Sequence, residues 1–111
     1  MDTGDARPAA PTQAQITELL TTRARWAVVG LSTNRARPAH GVAAYLQQLG
    51  HEVVPVHPRA ETVHGAVGYR RLADVPGQVD VVDVFVNSAR AGQVLDEAVA
   101  VGARAVWLQL G

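Results

Sequence analysis

Three short stretches of this 111-residue chain hold residue types suited to gripping an anion: Gly30-Leu31-Ser32-Thr33-Asn34, His57-Pro58-Arg59 and Val86-Asn87-Ser88-Ala89-Arg90. In the first, the glycine lets backbone approach a ligand. Ser32, Thr33 and Asn34 add short hydrogen-bonding groups ahead of a helical segment whose free N–H groups attract phosphate. The same residues could simply connect a strand to a helix, so this loop carries weight only in company. In the second, Arg59 follows a strand at the place where a dinucleotide enzyme puts the acid that holds ribose hydroxyls; a guanidinium there welcomes a phosphate instead. The ordinary alternative is a solvated surface charge. The glycine fingerprint of an NAD site is absent, because the glycine after Gly30 is Gly41.

Charge is distributed in the same sense. Ten Arg, with no Lys, balance ten acids, which argues against nucleic acid as a partner held by bulk charge. Residues 31–73 nevertheless carry five Arg against two Glu, while residues 74–111 carry two Arg against five acids. Arg35, Arg37 and Arg59 are expected to converge on one side of the molecule; Arg70 and Arg71 are left unplaced. Catalytic readings are weaker. Ser32 is not in a G-x-S-x-G elbow, the four histidines show no i, i+4 pair, and the absence of cysteine removes thiolate metal sites, thiol nucleophiles and disulfides. No catalytic residue and no metal ligand is assigned. Asp83 interrupts an apolar run and reads as a structural acid.

The elements that must position these loops follow from periodicity. Of the hydrophobic residues, 19 are Ala and 18 are Val, a supply suited to buried parallel strands faced by closely packed helices. Residues 1–11 lack periodicity and read as a flexible leader, with one domain over residues 12–111. Thr12 and Gln15 form a capping-box pattern for a helix reaching about Arg23, with Ile16, Leu19 and Leu20 on its apolar face. Trp26–Leu31 is a buried strand. A helix with Val42, Tyr45, Leu46 and Leu49 on its apolar face ends at Gly50. Residues 51–58 make a second strand, held to an edge by Pro55. A short strand or helical turn is expected near residues 67–72. Val81–Val86 is a third strand, and Asn87 or Ser88 caps a helix carrying Ala91, Val94, Leu95 and Ala98. Gly102 ends that helix and residues 104–110 form a fourth strand.

This alternation predicts an α/β chain with a doubly wound, mostly parallel, three-layer sheet. Winding reverses between strands one and three, and the crevice at that reversal is where ligands of such sheets bind. No apolar run has the length of a membrane helix, and the acidic start lacks the layout of a signal peptide, so a cytoplasmic protein with no membrane partner is expected.

The segments WAVVGLSTNRARPAHGVAAYLQQLGHEVVPVHPR, GYRRLADVPGQVDVVDVFVNS and EAVAVGARAVWLQLG resemble the small CoA-binding proteins of the YccU type, whose domain is related to that of the succinyl-CoA synthetase α-subunit. The resemblance implies a Rossmann-like domain binding coenzyme A or an acyl-CoA without catalysis, the 3′-phospho-ADP part lying over the carboxyl edge. It implies that Gly30, Leu31, Ser32 and Thr33 line the pyrophosphate and that Arg37 and Pro38 shape the following turn. His57, Pro58 and Arg59 would meet the adenosine phosphate, and Val86 and Asn87 would border the adenine. Similar proteins continue past W-L-Q-L-G with a further helix and strand; their lack here would leave an apolar edge around Val106 to Leu110, open to a second copy or another chain. Two other readings compete: an NADP-binding redox or sensor domain, in which Arg59 holds a 2′-phosphate, and a regulatory or scaffold module that reports CoA status.

Overall fold

Valine-rich runs flanked by short amphipathic helices build an α/β sandwich in the computed structural model, which describes residues 12–108. The leader expected over residues 1–11 lies outside the described residues. The elements are α1 (Gln13–Thr21), β1 (Arg25–Val29), α2 (Pro38–Gln48), β2 (Glu52–Val56), a 3₁₀ turn (Leu72–Asp74), β3 (Val81–Val84), α3 (Ser88–Ala100) and β4 (Ala105–Leu108). The four strands form one sheet in the order β2-β1-β3-β4, and every ladder is parallel. The chain is a Rossmann-like α/β fold whose winding reverses beside β1.

Period-two alternation sorts the strand residues onto two buried faces. Ala27, Val29, Val54, Val56, Val82 and Val84 pack with Leu72, Val75, Val79, Val94 and Ala98 under α3 and the 72–79 segment. Trp26, Val28, Val53 and Val81 pack with Ala39, Ala43 and Leu46 under α2. Asp83 is buried at the register position of Val28 on one side and Trp107 on the other.

Local signals set the helix ends. Thr12 and Gln15 close a reciprocal capping box, and Asn87 caps α3 by accepting from the Arg90 amide at 3.1 Å. Helix α1 ends at Thr21 rather than Arg23, because Thr22 turns to extended backbone. The side chains of Ile16, Leu19 and Leu20 lie outside the description. The apolar face of α2 is rotated from the expected one: Ala39, Ala43 and Leu46 are buried, whereas Tyr45 and Leu49 are exposed. Small alanines let the helix approach the sheet, and the larger residues are left at the margin of the stripe.

Strand β3 ends at Val84 rather than Val86, and β4 is described to Leu108; residues 109 and 110 of the expected apolar edge lie outside the described residues. Pro55 is tolerated in β2 because its carbonyl faces the outer edge, where it accepts from the Tyr69 amide at 2.9 Å. In an extended strand the nitrogen of the same residue points that way too, so no β1 hydrogen bond is forfeited. Among the described residues, no helix is long and apolar enough to cross a membrane.

Candidate anion-binding cleft

Gly30 leaves β1 with φ +99°, a conformation that L side chains rarely adopt. Its amide donates to the Val56 carbonyl at 2.8 Å, extending the β1–β2 ladder. On the other side the Phe85 amide donates to the Val29 carbonyl at 2.8 Å. Gly30 is thus wedged between the carboxyl ends of β2 and β3, and a Cβ built on it would lie 2.8 Å from the Phe85 carbonyl oxygen. The winding reversal therefore opens directly over Gly30.

The loop from Gly30 delivers the start of α2 to that opening. Ser32 Oγ accepts from the Asn34 amide at 3.2 Å and Asn34 Oδ1 from the Ala36 amide at 3.0 Å, so the polar side chains hold the loop's own shape. Arg37 is the N-cap of α2, with no side-chain cap, and Pro38 occupies the first turn. Pro38 has no N–H and the His40 amide reaches the Arg37 carbonyl at 3.1 Å, which leaves the Ala39 amide as the first-turn donor for an anion.

A cleft of about 1000 Å³ lies over this edge, at the upper end of the range for small-molecule sites. Gly30, Ser32, Arg37 and Pro38 form its β1 side, His57 and Pro58 its β2 side, and Phe85, Val86 and Asn87 its β3 side. The remaining wall comes from Arg70 to Leu72 and Asp74, facing an α3 stripe of Arg90, Gln93, Val94 and Glu97. Four arginines thus meet two carboxylates, leaving the cleft cationic.

Three expected ligand residues are placed elsewhere. Leu31 is fully buried in the core beneath α2. Thr33 is on the loop's outer side, its amide donating to Glu61 Oε1 at 3.2 Å. Arg59 is exposed and outside the cleft lining. Of Arg35, Arg37 and Arg59, expected to converge, Arg37 lines the cleft. The cause is turn geometry. After Val56 the chain folds back, the Ala60 amide reaching the His57 carbonyl at 2.8 Å and the Arg59 amide reaching His57 Nδ1 at 3.2 Å. Ala60 then takes φ +50°, which leaves Arg59 outside while His57 and Pro58 face in.

Arg70, Arg71 and Arg90 line the cleft as well. The i, i+3, i+4, i+7 spacing of Arg90, Gln93, Val94 and Glu97 was a readable signal for one face of α3. No local signal marks Arg70 or Arg71.

A contact between two histidines was also unforeseen. The His40 and His64 rings lie 4.2 Å apart, His64 Nε2–H donates to the His40 carbonyl at 2.9 Å, and Gln47 donates to the His64 carbonyl at 3.3 Å. Partial withdrawal from water, then His64 and then Arg35, hold the His40 pKa below its ordinary 6.5. In the unfolded chain His40 binds its proton more readily, so stability is lost as pH falls from about 6.5 through the folded-state value. Urea midpoints at about pH 7.5 and about pH 5.5 should show this loss, and His40→Gln should make it smaller. An unaltered pH dependence in that variant would exclude His40 as a contributor. Among the described residues, no group of three or more His, Asp or Glu could hold a metal ion.

Known proteins are similar to this chain in sequence and fold. A family model described as a CoA binding domain matches residues 24–111. An uncharacterised Bacillus subtilis protein, YneT, is 35% identical over 101 residues, covering 91% of this chain and 75% of its own. A hypothetical protein from Pyrococcus horikoshii superposes with a TM-score of 0.82 at 35% identity, over 95% of this chain and 75% of that one. A dinucleotide-forming acetyl-coenzyme A synthetase from Ca. Korarchaeum cryptofilum, solved with phosphate and ADP, gives a TM-score of 0.69 at 30% identity. That match covers 78% of this chain and 19% of the synthetase.

Proposed function

The chain belongs to the CoA binding domain family, and from that premise we propose that its cleft binds coenzyme A or an acyl-CoA without catalysing a reaction. The 3′-phospho-ADP part lies over the carboxyl edge of the sheet, and the diphosphate lies against Gly30, Ser32 and the first turn of α2. The observation that carries this reading is the meeting of Gly30 and the α2 N-terminus, which has no side-chain cap, inside one arginine-lined cleft. Coenzyme A brings about four negative charges, from a diphosphate and a phosphate monoester. The cleft offers the Ala39 amide, Arg37 and three further guanidiniums to receive them. Val86 and Phe85 supply apolar surface for a purine at the β3 side. Asp74 and Glu97, the carboxylates of the wall, are exposed and half-buried respectively.

Titration calorimetry with CoA, acetyl-CoA, NADPH and ATP tests the assignment. CoA and acetyl-CoA should bind with similar affinity at one site per chain, more tightly than ATP or NADPH. A preference for NADPH, or no heat with CoA, would overturn it.

A further inference from the structure

We propose that Arg70 and Arg71, not Arg59, form the clamp for the 3′-phosphate and give the cleft its preference for CoA over unphosphorylated adenosine ligands. The inference rests on the CoA reading above and assigns one part of that ligand to residues the strand-end pattern did not mark.

The placement comes from a single rung beyond the edge of the sheet. Tyr69 forms an isolated parallel bridge with Val56, its amide donating to the Pro55 carbonyl and its carbonyl accepting from the His57 amide, both at 2.9 Å. Tyr69 therefore acts as a one-residue fifth strand parallel to β2. Arg70 follows its carboxyl end as His57 follows the carboxyl end of β2, and carboxyl ends are the ligand side of such a sheet. Counting from β1, the Tyr69 rung is two strand spacings away, or about 10 Å. The sheet edge thus presents two separated anion poles, one at Gly30 and one at Arg70, as a ribose bearing a 5′-diphosphate and a 3′-phosphate requires.

The two arginines are held from both sides. Before them, Gly68 packs so closely on the preceding turn that a Cβ would lie 2.2 Å from the Glu61 carbonyl oxygen. After them, Leu72 is buried in the core at 1% exposure. Their backbone is thereby ordered in advance while both side chains stay exposed at the cleft. The Arg71 Nε to Asp74 Oδ2 contact is long, 3.7 Å, and solvated, so it competes weakly with a phosphate. Two adjacent planar guanidiniums suit a dianionic monoester, which accepts several charge-assisted hydrogen bonds at once.

The test is the ratio of CoA to dephospho-CoA affinity, measured by calorimetry on the full chain. The parent should favour CoA by about tenfold or more. Arg70→Ala/Arg71→Ala should bring the ratio close to one with dephospho-CoA binding little changed, whereas Arg59→Ala should leave it intact. Arg70→Lys/Arg71→Lys keeps the charge without the fork and should retain part of the ratio, a check independent of any folding defect in the alanine variant. A ratio preserved in the double alanine variant, lost in Arg59→Ala, or absent in the parent would overturn the clamp while leaving CoA binding standing. A parent that binds neither ligand would overturn the CoA reading and the clamp with it.

Discussion

Gly30→Ala is expected to lower the free energy of unfolding by about 3 kcal/mol and to abolish measurable CoA binding. Two costs add. The backbone at φ +99° is strained for any residue with a Cβ, and that Cβ would stand 2.8 Å from the Phe85 carbonyl oxygen. Relief requires the ends of β1 and β3 to part, which moves the loop and the α2 start away from the diphosphate position. Denaturant unfolding reads the first effect and calorimetry the second. Gly41→Ala is the control: it lies within α2, with nothing within 4 Å of an added Cβ, so it should be neutral or gain up to about 1 kcal/mol from helix propensity. If Gly30→Ala matched Gly41→Ala in stability and binding, close approach at the winding reversal would not be what shapes the site.

Leu72→Ala should cost a similar amount, about 3 kcal/mol, by leaving a cavity beneath the 3₁₀ turn. Leu72 is packed with Val75, Val79 and Val94 between the sheet and α3. It also anchors the two arginines that precede it, so CoA affinity should fall by about tenfold even under conditions where the variant is fully folded, as the clamp loses its fixed base. Val67→Ala, in the same segment at 64% exposure, should change stability by less than about 0.5 kcal/mol. A Leu72→Ala protein that is destabilised yet binds CoA as tightly as the parent would separate the core from the clamp.

The contrast between these two residues in the one segment illustrates what was legible in advance. Thr12 with Gln15, Asn87, Gly50 and Gly102 act through neighbours within a few positions, so helix limits follow from local chemistry. The valine runs at residues 26–29, 53–56 and 81–84 are apolar on both faces, and Pro55 permits only an edge. Strand order, winding reversal and the cleft's location over Gly30 follow from these facts together. The cleft-lining positions Gly30, Ser32, His57, Pro58, Val86 and Asn87 were legible for the same reason, because they are at or near strand ends.

Side-chain direction beyond the strand ends was not legible. Whether Arg59 or Arg70 faces the cleft depends on Ala60 adopting φ +50° and on Tyr69 pairing with Val56 across 13 positions of chain. The ring contact of His40 with His64 likewise joins α2 to a turn 24 residues away. Taken alone, the order of residues determined the parallel sheet, its helix caps and the carboxyl edge at which the cleft opens, because each rests on short-range periodicity and backbone chemistry. Only the folded chain decided which guanidiniums share that edge, because a side chain's direction is settled by contacts between segments that are distant in sequence.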